Sequence, residues 1–110
     1  MMFDAGEFNQ RVDIQSQPTQ VNGLNEYVGE WPLLKRVWAR VRPLSAREYT
    51  DASQAQDEAV YKFFIRYNAQ VNGTQRIVWL GKVYAIKGEP LVMGGGAGRY
   101  MQITGVLQHE

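Results

Sequence analysis

Short runs of alternating apolar and polar residues constrain the fold of this chain more than any other feature. Val12 and Ile14 alternate with polar neighbours, and the same period of two recurs in residues 37–42 and 61–67. That period places every second side chain on one face, which is typical of half-buried β-strands. Later segments predict further strands at residues 75–80, 83–86 and 100–107.

Turn-forming residues separate the predicted strands. Pro43 ends the second strand, because proline has no backbone N–H to donate to a neighbouring strand. Asn72-Gly73 predicts a turn, and Gly81-Lys82 predicts a tight turn that closes a hairpin. The strands are therefore short and follow one another with little intervening helix.

Two segments between strands carry structure of their own. Residues 18–31 form a long polar loop that can hold a small hairpin. Ser45 and Glu48 have the spacing of a capping box, which predicts a short helix there. About six short strands, one short helix and long loops predict a mainly β fold, a small antiparallel barrel or sandwich. We expect residues 1–110 to form a single domain, large enough for a core without metal or disulfide support.

Composition excludes several functional classes. The chain has no cysteine, which rules out a disulfide framework, a thiol nucleophile and a thiolate metal site. Its net charge of +1 gives no whole-protein attraction to nucleic acid or to an anionic membrane. The first residues include two acids and no apolar run, so we expect no signal peptide and a soluble protein made in the cytoplasm.

No catalytic, metal or cofactor site is predicted. The single histidine, His109, lies beside the C-terminus, where residues are usually poorly ordered. The acid pairs Glu48/Asp51 and Asp57-Glu58 lack the apolar surroundings that shift a carboxyl pKa, which favours a solvated acidic loop. We therefore expect a protein that is not an enzyme.

The glycine-rich segment 94–98 looks superficially like a phosphate-binding loop. No predicted strand leads directly into it, no helix follows, and no Gly-Lys-Ser/Thr is present. We predict a flexible hairpin end instead.

The aromatic residues admit two interpretations. One is a stacking platform for single-stranded nucleic acid, with Arg40, Arg42 and Arg66 as phosphate contacts. The other is packing in the core and across strands, which we favour because the balanced charge supplies no broad basic footprint. Both interpretations concern the same five aromatic side chains, which are Trp38, Tyr61, Phe63, Phe64 and Trp79. Trp31 either anchors an interface or folds back onto the barrel, since it lies beside the long loop and precedes Pro32.

Charge is divided sharply along the middle of the chain. Residues 35–42 contain four basic residues and no acid, whereas residues 48–58 contain four acids and no base. Two such surfaces can attract each other between copies of the chain. The candidates for the basic side of a subunit interface are Lys35, Arg36, Arg40 and Arg42.

Short motifs follow one another in order along nearly the whole chain. The most specific is Trp38-Ala39 followed by Arg47-Glu48. The other segments are Ala5-Gly6-Glu7-Phe8, Arg11-Val12, Ile14-Gln15, Val37, Val41, Pro43-Leu44-Ser45, Ala52, Ile65-Arg66-Tyr67, Arg76-Ile77, Gly81-Lys82-Val83-Tyr84 and Ile86. Together these motifs resemble the tailed-phage head–tail joining family, also called head-closure, stopper or head completion proteins.

The resemblance implies a β-barrel that assembles as a ring in the neck of a virion. The ring is expected to be dodecameric, with the portal or an adaptor protein above it and a tail terminator or another tail protein below. It extends the channel for double-stranded DNA, which passes without sequence-specific binding, helps retain the packaged genome and offers a docking surface for the tail. Two alternatives stay open: another ring-forming tail component, or a single-strand nucleic-acid-binding barrel.

The resemblance also implies that the loop after the second strand, residues 45–58, faces the channel. Its acids would repel DNA phosphates, which suits a conduit. The channel-facing candidates are Arg47, Glu48, Tyr49, Asp51, Gln54, Gln56, Asp57 and Glu58. Loops 17–31 and 89–98 are expected to order when partners dock, and their docking candidates are Tyr27, Trp31, Leu91 and Met93.

Overall fold

Antiparallel strands make up most of the computed structural model, which describes residues 5–44 and 59–108. Those ranges hold nine strands and two short 3-10 turns, Ala5–Glu7 and Gly96–Gly98. The strands are β1 Gln10–Gln15, β2 Gln20–Val21, β3 Tyr27–Val28, β4 Leu33–Pro43, β5 Val60–Arg66, β6 Arg76–Trp79, β7 Lys82–Ile86, β8 Leu91–Met93 and β9 Tyr100–Leu107.

Six of these strands close into a barrel. The order β5-β4-β1-β6-β7-β9 returns to its start because β5 also pairs with β9, from Val60↔Val106 to Arg66↔Tyr100. All pairings are antiparallel. The predicted mainly β barrel is therefore confirmed. Closure removes the open sheet edges that would otherwise invite pairing with another chain.

The barrel interior is filled by the apolar residues of the alternating pattern. Val12, Ile14, Phe63 and Ile65 are fully buried, as the period of two predicts. Around Phe63, three more rings, those of Tyr61, Trp79 and Tyr84, form an aromatic cluster with centroids 5.3–6.5 Å apart. Core packing is therefore confirmed for Tyr61, Phe63 and Trp79.

Two elements extend from the barrel. The strands β2 and β3 form a separate two-stranded hairpin within residues 18–31, as predicted. Strand β8 pairs with the first residues of β9 and forms an edge. The 94–98 segment closes the β8–β9 hairpin, so its interpretation as a hairpin end is confirmed, but β8 leads directly into it, which the sequence did not predict.

Two further details differ from the sequence prediction. Strand β4 begins at Leu33, four residues before the predicted alternation. The tight turn consists of Leu80 and Gly81, because Lys82 already pairs with Trp79. Both turn residues have positive φ, 52° and 76°, which the right-handed twist of a two-residue hairpin favours. The helix predicted at Ser45 lies outside the described residues.

Candidate interaction surfaces

The outer face of β1, β4 and β5 collects most of the barrel's cations. Strand alternation turns Val37, Ala39 and Val41 toward the core, so the intervening arginines face outward. The register places Arg42 opposite Lys62 and Arg40 opposite Phe64. We call this surface the basic face, and it comprises Arg11, Arg36, Arg40, Arg42, Lys62 and Arg66.

The structure separates the four predicted interface cations. Arg36, Arg40 and Arg42 lie on the basic face, whereas Lys35 is paired with the inward-facing Ile14 and has the opposite parity. Sequence reasoning did not group Lys62 with them, and it placed Arg66 beside Arg40 and Arg42 only in the alternative of a nucleic-acid platform. Both come from β5, and only the strand register reveals that they are neighbours.

Arg36 is neutralised within its own chain. Its Nε donates to Oδ1 of Asp13 at 2.6 Å, and Nη2 donates to Oδ2 at 3.2 Å. This hydrogen bonding lowers the pKa of the Asp13 carboxyl below its usual 3.8. Arg36 therefore has its carboxylate partner, Asp13, on the basic face.

Several arginines lie over aromatic rings of the barrel. The guanidinium of Arg11 lies 4.6 Å from the centroid of Trp38, and those of Arg40 and Arg42 lie 5.6 and 5.8 Å from Phe64. Phe64 is buried beneath them, whereas Trp38 is 54% exposed. Of the five rings considered for stacking, Trp38 is therefore the one left on the surface, and it already carries an arginine.

The roots of the 45–58 loop are fixed to the barrel. The amide of Leu44 donates to the carbonyl of Val60 at 3.0 Å, and the amide of Leu107 donates to that of Ala59 at 2.9 Å. Both ends of the loop therefore leave the barrel at the same rim. The eight channel-facing candidates, from Arg47 to Glu58, lie outside the described residues.

The docking candidates lie on different elements. Tyr27 is on the β2–β3 hairpin and is 55% exposed. Leu91 and Met93 are on the edge strand β8, and both are exposed. An all-exposed apolar edge strand is a surface on which another chain can pair.

Trp31 packs back against the barrel. The guanidinium of Arg76 lies 4.4 Å from the centroid of its ring, and Arg76 Nε donates to Gln15 Oε1 at 2.7 Å. Burial lowers the pKa of Arg76. The ring lines a groove of about 890 Å³ whose other walls include Lys82 and Ile86. Trp31 therefore folds back onto the barrel while its ring still lines the groove, and its role as an interface anchor stays a prediction.

The described part of the chain contains neither a metal-binding cluster nor a membrane-spanning helix. Residues 5–44 and 59–108 contain no group of three or more His, Asp or Glu that could hold a metal. Within the same ranges, no helix has the length and hydropathy needed to cross a membrane. His109 lies outside them.

The family described as phage head completion protein matches residues 3–106. The chain therefore belongs to the phage head completion protein family, and the resemblance seen in its motifs is confirmed. Membership makes it a structural component of the virion at the head–tail junction, as predicted.

One relative in sequence and two solved structures are similar to this chain. The chain is 28% identical to head completion protein gp16 of Bacillus phage SPP1 over 89 residues, and this alignment covers 81% of this chain and 82% of that protein. The solution structure of protein SF1141 from Shigella flexneri 2a has the same fold, with a TM-score of 0.74 and 24% identity over 98% of this chain and 99% of the other. A chain in the virion of a native gene transfer agent particle also shares the fold, with a TM-score of 0.64 and 16% identity over 89% and 92% of the two chains.

Proposed function

We propose that this protein forms a ring, expected to be dodecameric, between the portal or adaptor and the tail. The ring extends the DNA channel, helps to retain the packaged genome and presents a docking surface to the tail. Membership of the head completion family is the observation that carries this proposal. In this role the protein acts through its shape and surface charge and not through bond-making chemistry.

The 45–58 loop is the proposed lining of the channel. Its two roots, Leu44 and Ala59, are anchored side by side on one rim of the barrel, which supports a role for residues 45–58 at that rim. The loop carries four acids and one base, so it repels DNA phosphates. DNA therefore passes through the channel without binding to its wall.

Neutralising the loop acids tests this lining. The variant Glu48→Gln/Asp51→Asn/Asp57→Asn/Glu58→Gln should slow DNA ejection from virions or leave the genome trapped. A matched comparison sets Glu48→Gln/Asp51→Asn against Glu26→Gln/Glu30→Gln, which changes the net charge equally on exposed residues of the hairpin region. Ejection kinetics that are unchanged in the loop variants, or equally changed in the control, would count against the lining.

The ring requires head-to-tail contacts, in which one surface meets a different surface of the next copy. We assign the basic side of this contact to residues 35–42 and the acidic side to the 45–58 loop. Rim pairs of this kind contribute about 0–1 kcal/mol each, so assembly should weaken as salt rises.

Charge reversal in separate chains distinguishes contacts between copies from contacts within one copy. Arg40→Glu/Arg42→Glu and Asp57→Lys/Glu58→Lys should each impair assembly alone, whereas particles made with both chains present should recover. Recovery in such mixtures requires the charges to meet across a subunit boundary. A control pair, Lys82→Glu/Lys87→Glu, makes the same charge change on β7 and its end and should assemble normally. Failure of the mixture to recover would remove these residues from the interface.

The apolar surfaces outside the barrel are the proposed contacts with the neighbouring neck proteins. Tyr27 on the hairpin, Trp31 beside the groove, and Leu91 and Met93 on the edge strand are the proposed docking residues. Tyr27→Ser and Leu91→Ser should reduce incorporation of the protein into virions while leaving its thermal unfolding unchanged, because both side chains are exposed.

A further inference from the structure

Three arginines at one end of the basic face share an arrangement that the proposed ring does not use. Arg11 lies 4.6 Å from the ring centroid of Trp38, Arg66 lies 5.8 Å from that of Phe8, and Arg99 lies 4.1 Å from that of Tyr67. The three rings line a pocket of about 250 Å³ together with Arg11 and Arg66. We call Arg11, Arg66 and Arg99 the arginine cluster.

The strand register places the backbones of the cluster across several strands. Arg11 on β1 is paired with Trp38 on β4, and Ala39 beside it is paired with Ile65, so Arg66 follows on β5 at the same level. Arg66 is in turn paired with Tyr100, and the carbonyl of Arg99, which precedes Tyr100, accepts the amide of Tyr67. Two strand steps of about 4.8 Å separate the backbones of Arg11 and Arg66, so the cluster extends across the sheet.

The cluster has no carboxylate in direct contact. Among the residues that the structure describes, none of the three guanidiniums forms an ion pair, in contrast to Arg36, which is paired with Asp13. The Asp13 carboxylate also acts electrostatically on Arg11, but its oxygens are held by Arg36. All three arginines are exposed. Stacking leaves the N–H edges of a guanidinium free to donate while its flat face is covered, so the cluster is preorganised to receive an anion.

A cluster that extends across several strands fits a chain of phosphates better than a single carboxylate. Arginine donates to phosphate oxygens in a bidentate manner, and each phosphate contact releases counterions from the nucleic acid. The stacked guanidiniums also cover faces of the rings on which bases would otherwise stack, which favours contact with the backbone over contact with bases. We propose that the arginine cluster binds the phosphodiester backbone of nucleic acid without reading its sequence.

The cluster also gives the chain a local concentration of positive charge, although its net charge is only +1. The fold places the cluster at the end of the basic face near residues 66–68, whereas the loop roots at Leu44 and Ala59 adjoin its other end. The cluster that would attract phosphates and the roots of the acidic loop therefore lie at opposite ends of the basic face. The proposal does not depend on ring formation, because the cluster lies within a single chain.

Salt-dependent binding by the purified full-length chain tests the cluster. The probe is a fluorescently labelled duplex of arbitrary sequence, followed by anisotropy, with a single strand of the same length as a second probe. Three phosphate contacts predict a slope of about −2.7 for log Kobs against log[salt] on duplex and about −2.1 on single strand. Affinity for the duplex should accordingly fall about 40-fold between about 50 and 200 mM salt.

Single substitutions identify the contacts. Arg11→Gln, Arg66→Gln and Arg99→Gln should each reduce the size of the slope by about 0.9, and Lys87→Gln, which removes one exposed charge outside the cluster, should leave it unchanged. Thermal unfolding of each variant checks that the barrel is intact. Arg66→Lys should keep the slope and weaken binding, since it retains the charge and loses the planar fork.

Three results would overturn the proposal. They are no measurable binding at about 50 mM salt, a slope that Lys87→Gln reduces as much as the cluster variants do, and competition by polyglutamate as effective as competition by nucleic acid at equal charge. The last result would assign the cluster to acidic protein segments. Because the measurement uses isolated chains, any of these outcomes leaves the proposed ring to be judged by its own tests.

Discussion

Gly105 is the position at which one added methyl group should disturb the barrel most directly. A Cβ atom built there would lie 2.6 Å from Cε1 of Phe63 and 3.2 Å from Cβ of Tyr84. Phe63 is fully buried, and the rings of Tyr61, Trp79 and Tyr84 surround it, with centroids 5.5–6.5 Å from its own. The ring therefore has no free space into which it can withdraw.

Two opposing effects set the magnitude for Gly105→Ala. Replacing glycine by alanine reduces the entropy of the unfolded chain and stabilises the fold by about 0.4–1 kcal/mol. Overpacking a well-filled core costs about 1–3 kcal/mol, and a contact this short with a fixed ring lies at the upper end. The clash prevails, so we expect a net loss of about 2–2.5 kcal/mol and a fall in Tm of about 8–20 °C.

Thermal and urea unfolding followed by circular dichroism measure this effect. Gly95→Ala is the matched control, because Gly95 has an extended φ of −152° and an added Cβ would meet nothing within 4 Å. Its Tm should stay within about 2–4 °C of the wild-type value. In a Phe63→Leu background Gly105→Ala should cost less, since the colliding ring atom is gone. A Gly105→Ala protein as stable as the Gly95→Ala control would refute the packing described for the barrel.

Three other changes have defined outcomes. Leu80→Asn should raise Tm by about 4–8 °C, because a bulky residue at φ 52° costs about 1 kcal/mol that asparagine largely avoids; an unchanged or lower Tm contradicts this. Asp13→Asn should lower Tm at neutral pH, and the difference from wild type should vanish in acid. The folded-state pKa of Asp13 lies below the unfolded value of 3.8, so its contribution is full above that value and is lost as pH falls through the folded pKa; a constant difference from pH 7 to 2 argues against it. Asn22→Ala should speed amide exchange in residues 20–28 without changing Tm, because Asn22 Oδ1 accepts the amides of Leu24 and Glu26 at 2.8 and 3.0 Å in an exposed hairpin; unchanged exchange shows that the turn does not depend on it.

The barrel strands could be predicted because their signal is local. Alternation at Val12 and Ile14 indicates both a strand and its buried face, and Pro43 marks where a strand ends. Strand β8 was missed for the converse reason. Its three residues are all apolar, they follow Pro90, and they precede glycines, so the segment lacks a period and has the composition of a loop.

The basic face could be predicted only in part, because it depends on the register between strands. Arg40 and Arg42 are close in sequence and were grouped from the start. Lys62 and Arg66 lie beside them only because β5 pairs with β4 in one particular alignment. A shift of one residue would have turned the β5 cations into the core, and local periodicity cannot measure such a shift.

The position of the tight turn shows the same limit on a smaller scale. Glycine marks the turn correctly, but the sequence does not say whether Gly81 is its first or second residue. Leu80 takes the first position at positive φ although leucine disfavours it. The hairpin pairing of Trp79 with Lys82 decides the matter, because it aligns Trp79 with the aromatic cluster.

Virions assembled in the absence of this protein provide the most direct measurement of its role. Electron microscopy of particles from a phage with the gene deleted should show heads that have packaged and then lost their DNA and that carry no tails, and restoring the wild-type chain should reverse both defects. Deletion particles that keep their genomes and acquire tails would contradict a role in completing the head.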